Sequence, residues 1–123
     1  MTTEDAAVEY VIACDREDGR VARDTRRARG VADVESDGRL IEVKGFGPEK
    51  FAGTLMFTPP QVLKAEQDAN YYVYIVVNIG QGDPAKFQLS QLHGDSLRDV
   101  MAGAKVHRLR VAVPAAAFKR GLR

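Results

Sequence analysis

Residues 33–45 have the sequence DVESDGRLIEVKG, which predicts a β-hairpin. The central pair Asp37-Gly38 is typical of a two-residue type I′ turn, because both positions of that turn need positive φ angles. The runs on either side, Val31 to Glu35 and Arg39 to Gly45, contain many β-branched and aliphatic residues and are predicted as strands. The turn also fixes which residues of the two strands face each other.

Counting outward from this turn pairs Val34 with Ile41 and Asp33 with Glu42. Directly opposed side chains have Cβ atoms about 4.5–5.5 Å apart, so two carboxylates there repel each other unless a cation compensates. Side-chain alternation places Lys44 on the face of Glu42, and it places Val34 and Ile41 on the opposite face. We therefore expect one buried face and one solvated, charged face.

The charged face offers the ligands of a hard divalent cation. Asp33, Glu42 and the carbonyl of Val43 supply the oxygen atoms that Mg²⁺ or Mn²⁺ takes, with water at the other positions. A bound cation lowers the pKa of a coordinated water and neutralises a phosphate, while the Lys44 ammonium orients that water or stabilises developing charge. The pattern indicates phosphodiester hydrolysis, although an ordinary hairpin with a solvated charged face explains the same spacing.

The composition is that of one small globular domain spanning residues 1–123. The chain is 45% hydrophobic and 28% charged, which is enough for one core. One cysteine and two histidines exclude an internal disulfide and a zinc cluster of thiolates and imidazoles. Because no apolar run is long enough to cross a bilayer, we expect a cytoplasmic protein without a membrane partner.

The net charge is only +1, but the arginines are unevenly placed. The arginine segment, residues 20–29, contains Arg20, Arg23, Arg26, Arg27 and Arg29. Arginine offers paired donors that suit phosphate oxygens, so this segment is a candidate nucleic-acid contact. A solvated loop explains the same residues equally well.

The remaining elements are predicted from periodicity, caps and turn residues. They are a helix from Thr3, its cap, to Asp18, a loop from Gly45 to Gly53, a strand from Thr54 to Phe57, a helix from Thr58 to Asn70, a strand from Tyr71 to Ile79, a helix from Ser90 to Met101 and an edge strand from Lys105 to Val113. Strand 71–79 lacks a clear alternation and is expected to be central. This order predicts an α/β fold with helices packed on a mixed sheet.

Asp33 followed by Ile41 to Gly45 resembles the Asp…Glu-x-Lys signature of the PD-(D/E)XK nuclease superfamily. More narrowly, the chain resembles the family named after the C-terminus of the protein NO VEIN, over roughly Glu4 to Asn78. The matching motifs are Glu4 and Ala7, Gly19-Arg20, Asp24, Asp33 with Ser36, Arg39 to Gly45, Thr58 to Ala65 and Tyr72 to Asn78. Several motifs in the right order are more specific than the short Glu-x-Lys motif alone.

This resemblance implies a restriction-endonuclease-like mixed β-sheet flanked by helices, with an α-β-β-β-α-β core. The site residues that it implies are Asp33, Glu42, the carbonyl of Val43, Lys44, Glu4 and Gln61. Lys44 is the implied catalytic lysine, and Glu4 and Gln61 are accessories. Interaction with the helix dipole also explains Glu4, a capping box with Thr58 also explains Gln61, and Glu9 is an alternative helical acid.

Members of this family accompany larger helicase-like, ATPase or DNA-defence proteins, so the resemblance implies a magnesium-dependent nuclease that acts on DNA beside such a partner. Gln61 and Asp15 stand where relatives often carry Glu, and a neutral amide is a weaker metal ligand than a carboxylate. The alternative is a nuclease-like module that binds nucleic acid or a protein without cutting. One catalytic hairpin cuts one strand, so cutting a duplex would need a homodimer or repeated visits.

Overall fold

The computed structural model describes residues 1–28, 32–103 and 110–123. Its helices are α1 (Thr3–Glu17), α2 (Pro59–Gln67), α3 (Gly94–Ala102) and α4 (Ala115–Arg120). Its strands are β1 (Ala22–Asp24), β2 (Val34–Ser36), β3 (Arg39–Gly45), β4 (Thr54–Met56), β5 (Tyr71–Val77), β6 (Gln88–His93) and β7 (Arg110–Ala112). No helix in these three ranges is both long and apolar enough to cross a membrane.

Five strands form one mixed sheet in the order β1-β2-β3-β5-β6. Strands β3 and β5 are parallel, and the other neighbours in this sheet are antiparallel. Helix α1 packs on one face through Ala7, Val8 and Val11, while residues of α2, α3 and α4 belong to the core cluster on the other face. The predicted α/β class, a mixed sheet flanked by helices, is confirmed.

The elements of the main sheet follow the predicted order of helix, three strands, helix and strand: α1, β1, β2, β3, α2 and β5. The prediction chose the wrong third strand, however. Strand β4, predicted as Thr54 to Phe57, pairs with β7 in a separate two-stranded sheet. The third strand of the main sheet is β1 instead. Its short, arginine-containing sequence gives little sign of a strand, and pairing with β2 makes it one.

The hairpin forms in the predicted register. Strands β2 and β3 pair Ser36 with Arg39 and Val34 with Ile41, and the turn residues have φ angles of 46° at Asp37 and 87° at Gly38. Strand β2 begins at Val34, later than the predicted start at residue 31, which lies outside the described residues. The type I′ turn therefore determined the register, as expected.

The starts of helices α1 and α3 differ from the predicted positions. Helix α1 is capped by Thr2, whose Oγ1 accepts a 3.1 Å hydrogen bond from the Asp5 nitrogen, and the predicted cap Thr3 is the first helical residue. The predicted helix from Ser90 to Met101 is wrong over its first part, because pairing with β5 makes residues 88–93 a strand and α3 begins only at Gly94. Tertiary pairing overrides local preference there.

The remaining predicted elements are found with small differences. Strand β5 is buried against both core clusters, as predicted for a central strand. Helix α2 ends at Gln67, where the prediction placed its end near Asn70. Of the strand predicted over residues 105–113, the described part, Arg110–Ala112, pairs with β4 outside the main sheet, and residues 104–109 lie outside the described ranges.

Candidate active site

Glu42 lies in the middle of β3, and only 10% of its side chain is exposed. The expectation of a solvated charged face is therefore wrong. Glu42 shares its face of the sheet with Val73, which belongs to the core cluster that α2, α3 and the β4-β7 sheet cover, and with Leu40, which packs against that cluster. A second layer of helices, which the pattern of the hairpin alone does not reveal, buries this face.

Asp33 lies just before β2, and its predicted pairing with Glu42 is not part of the ladder, which ends at the pair of Val34 and Ile41. Its backbone nitrogen donates a 3.0 Å hydrogen bond to the Ile41 carbonyl, and its Oδ2 accepts a 2.9 Å hydrogen bond from the Val43 nitrogen. The N–H and C=O groups of one strand residue point to the same side, so the carbonyl of Val43 also faces the side of β3 where Asp33 lies. The Asp33 carboxylate and the Val43 carbonyl therefore lie on the same side of β3, beyond the end of β2.

The two carboxylates are close enough to affect each other. Burial raises the pKa of Glu42, and the neighbouring Asp33 carboxylate raises it further, by repulsion and as a hydrogen-bonding partner of the protonated form. The Lys44 ammonium acts in the opposite direction without cancelling these effects. In metal-free solution, Glu42 therefore retains its proton at pH values where an exposed glutamate has lost it.

Lys44 lies on the face of Glu42, as predicted. Its Nζ is 3.8 Å from Glu42 Oε1, and it donates a 2.7 Å hydrogen bond to the Met56 carbonyl. The same ammonium lies 4.7 Å from the centroid of the Phe57 ring. Strand β4 and the residue after it thus hold the lysine at the edge of the site.

Glu4 lies on the first turn of α1, and its carboxylate is close enough to contribute to the raised pKa of Glu42. Gly45 makes this approach possible: a Cβ atom there would lie 2.8 Å from Ala7 Cβ and 3.3 Å from the Thr3 carbonyl oxygen. The glycine lets the start of α1 cross the end of β3. The alternative helical acid, Glu9, lines a separate groove of about 580 Å³ between α1 and residues 79–87.

Gln61 forms the predicted capping box with Thr58. Its Oε1 accepts a 2.9 Å hydrogen bond from the Thr58 backbone nitrogen, and the Gln61 backbone nitrogen donates to Thr58 Oγ1 at 3.4 Å. The amide oxygen of Gln61 is therefore already used at the start of α2. Its structural role is clear, and its role as an accessory of the site stays a prediction.

The arginine segment is engaged in ion pairs more than its sequence suggests. Arg20 contacts Asp15 and Asp18, Arg23 contacts Glu35, and Arg26 contacts Asp5 and Asp24, at 2.8–3.2 Å. Arg27 is exposed, and Arg29 lies outside the described residues. Of the arginines that the structure describes in this segment, Arg27 is the best placed to contact phosphates.

A buried polar network beneath the sheet was not predicted. The Asp15 side chain is fully buried, receives two hydrogen bonds of 2.9 Å and 3.0 Å from Arg20, and accepts a 3.2 Å hydrogen bond from the Tyr74 hydroxyl. Arg39 donates in turn to Tyr74 at 2.9 Å. These partners come from four elements or loops, so no spacing in the sequence indicates them.

The donor set suits a hard cation bound by few protein ligands. Within residues 1–28, 32–103 and 110–123, no group of three or more His, Cys, Asp or Glu side chains is placed to hold a metal ion. Magnesium is commonly held by only one or two carboxylates together with water and substrate phosphates. The carboxylates of Asp33 and Glu42, with the Val43 carbonyl, fit that pattern, and their mutual repulsion favours a cation between them.

One comparison with known proteins gives a match. The model of the family described as "Protein NO VEIN, C-terminal" matches residues 3–89, which include α1, the hairpin, α2 and β5. Searches of curated proteins and of solved structures give no match. The family match covers well over half of the chain and contains every element that forms the candidate site. The chain therefore belongs to the NO VEIN C-terminal family.

Proposed function

We propose that this protein is a divalent-metal-dependent phosphodiesterase acting on DNA, with the PD-(D/E)XK site in a restriction-endonuclease-like fold. The observation that carries the proposal is the buried Glu42 carboxylate, which lies beside Asp33 and 3.8 Å from the Lys44 ammonium. A structural hairpin has no need of two adjacent, mutually repelling carboxylates. The order of elements in the main sheet, α-β-β-β-α-β, also supports this fold.

Asp33, Glu42 and the Val43 carbonyl would hold Mg²⁺ or Mn²⁺. The cation, when bound, supplies a water of lowered pKa and neutralises phosphate charge. The Val43 nitrogen fixes the Asp33 carboxylate in place before any ligand arrives, which limits the reorganisation that binding requires. Lys44 presents its ammonium at the edge of the site, where it can donate to a phosphate oxygen or hold the attacking water.

The surroundings of the site indicate how DNA would approach. Arg27 is exposed on the loop after β1, and the backbone nitrogen of the preceding loop residue Thr25 donates to the Asp33 carbonyl at 2.8 Å. This loop therefore adjoins the candidate site, and Arg27 is its proposed contact to a DNA phosphate. We propose a cytoplasmic protein that receives DNA from a larger helicase-like or ATPase partner and forms a homodimer where both strands are cut.

A second function is favoured by one observation. The Lys44 ammonium already donates to the Met56 carbonyl, and the Gln61 oxygen already accepts from the Thr58 nitrogen. A site whose lysine and amide each already make a hydrogen bond within the protein would suit a module that binds nucleic acid or a protein without cutting. Metal-dependent cleavage distinguishes the two functions.

The test is a cleavage assay with single-stranded, duplex and branched DNA in Mg²⁺, Mn²⁺ or EDTA. We expect cleavage only with a divalent cation, and we expect Glu42→Gln to abolish it. The matched control is Glu35→Gln, which alters a half-exposed carboxylate of the same hairpin that pairs with Arg23. Cleavage by Glu42→Gln at the parent rate, or no cleavage by the parent in either metal, would overturn the proposal.

A further inference from the structure

Tyr71, the first residue of β5, carries a buried hydroxyl group that no hydrogen bond within the described residues uses. The residue is 1% exposed, and its hydroxyl has no hydrogen-bond partner among the described residues. A buried tyrosine hydroxyl normally has a partner, because a buried polar group without one costs about 1–3 kcal/mol. Tyr74, on the same strand and also buried, uses its hydroxyl fully between Asp15 and Arg39.

The register places Tyr71 beside the candidate site. Strand β5 pairs Tyr71 with Leu40 and Val73 with Glu42, and side chains of alternate residues share a face of the sheet. Tyr71 and Glu42 are therefore diagonal neighbours on the same face. Burial raises the pKa of Tyr71, and the carboxylates of Glu42 and Asp33 raise it further, which is consistent with a phenol close to both.

We infer that Tyr71 is a positioning residue, whose hydroxyl donates a hydrogen bond to the Glu42 carboxylate when that carboxylate binds a divalent cation. A carboxylate has more acceptor positions than one metal ion occupies, so a neighbouring donor can fix its orientation. This role would give the buried hydroxyl a partner at a position where phenylalanine would fill the same space. The inference rests on the proposed function, because it assigns Tyr71 to the same metal site.

The test compares Tyr71→Phe with Tyr74→Phe, since each removes one buried hydroxyl from the same strand. Mn²⁺ binding is measured by isothermal titration calorimetry, and stability is measured by thermal melting in EDTA. We expect Tyr71→Phe to bind Mn²⁺ about tenfold more weakly than the parent and to melt in EDTA no lower than the parent. Tyr74→Phe should melt lower in EDTA and should keep the parent's Mn²⁺ affinity.

The outcomes separate this inference from the proposed function. If the parent binds Mn²⁺ and Tyr71→Phe binds it equally well, the positioning role is wrong and the proposed function stands. The positioning role is also wrong if Tyr71→Phe loses as much stability in EDTA as Tyr74→Phe does, because the hydroxyl then serves the fold. If the parent itself does not bind Mn²⁺, both the inference and the proposed function are overturned.

Discussion

The backbone nitrogen of Val43 donates a 2.9 Å hydrogen bond to Asp33 Oδ2, which ties this carboxylate to β3 beyond the end of the regular β2 ladder. The bond fixes the Asp33 carboxylate beside the buried Glu42. Two carboxylates held side by side in a partly buried site make that site sensitive to pH and to cations.

The first prediction concerns pH in metal-free buffer. The folded state raises the pKa of Glu42 above its ordinary 4.5, so it binds more protons than the unfolded state above that pH. The contribution of Glu42 to stability is thus complete below pH 4.5 and declines as the pH rises through the raised value. We expect Glu42→Gln to remove this decline and to be more stable than the parent at pH 8 by roughly 1 kcal/mol. Urea unfolding in EDTA, from below pH 4.5 to pH 8, measures the free energy of unfolding of both proteins.

Glu35→Gln is the control for this prediction, because the Glu35 carboxylate is 40% exposed and pairs with Arg23 away from the site. This variant should keep the parent's pH dependence. A Glu42→Gln protein that is less stable than the parent at every pH, with the decline unchanged, would show that Glu42 is an ordinary structural carboxylate.

The second prediction concerns the buried network beneath the sheet. Burial alone would raise the pKa of Asp15, but hydrogen bonds from Arg20 and Tyr74 together with the Arg20 charge hold it below 3.8. Its contribution to stability is therefore present above pH 3.8 and is lost as the pH falls further. We expect Asp15→Asn to cost about 3 kcal/mol at neutral pH, since it leaves Arg20 without its buried partner charge. Chemical denaturation measures this loss.

Asp18→Asn offers a matched comparison, because Asp18 contacts the same Arg20 guanidinium from an exposed position. Exposed ion pairs contribute little, so this variant should lose much less stability than Asp15→Asn. Equal losses in the two variants would contradict a special role of burial at Asp15.

The third prediction concerns DNA binding by the arginine segment. Arg27→Ala should weaken binding without sequence preference and reduce the slope of log K against log salt by about one, because one phosphate contact and its counterion release are lost. Arg23→Ala should leave the slope almost unchanged, since Arg23 pairs with Glu35. Fluorescence anisotropy at several salt concentrations gives both slopes. Equal slopes for the parent and Arg27→Ala would mean that Arg27 is merely solvated.

The hairpin was predictable because its determinants are local. Asp37-Gly38 fixes the turn, and a two-residue turn fixes the pairs next to it, so the register from Ser36 to Val34 is confirmed. The next predicted pair, Asp33 with Glu42, is not part of the ladder, because the Asp33 nitrogen donates to the Ile41 carbonyl. The alternation of side chains then placed Lys44 correctly on the face of Glu42. Local rules were therefore sufficient for this hairpin.

The burial of the site was not predictable in the same way, because it depends on elements distant in sequence. The burial of Glu42 comes from α2, α3 and the β4-β7 sheet, and the ion pair between Arg26 and Asp5 joins a loop to the start of α1. The Tyr71 hydroxyl, which has no partner within the described residues, is likewise a property of the assembled fold. A sequence pattern indicates which residues carry charge, but it does not indicate which of them the fold pairs or buries.

The central claim is that Asp33 and Glu42 together bind a divalent cation, and thermal melting with and without the cation tests it most directly. Melting temperatures are measured for the parent, Asp33→Asn, Glu42→Gln and the control Glu35→Gln, in EDTA and in millimolar Mg²⁺ or Mn²⁺. An ion that binds only the folded state adds about 2.7 kcal/mol at a hundredfold excess over its dissociation constant. We predict that the parent and Glu35→Gln melt at clearly higher temperatures with the cation, while Asp33→Asn and Glu42→Gln hardly respond. A parent whose melting temperature is the same in both buffers, with both site variants less stable than the parent in each, would contradict the claim.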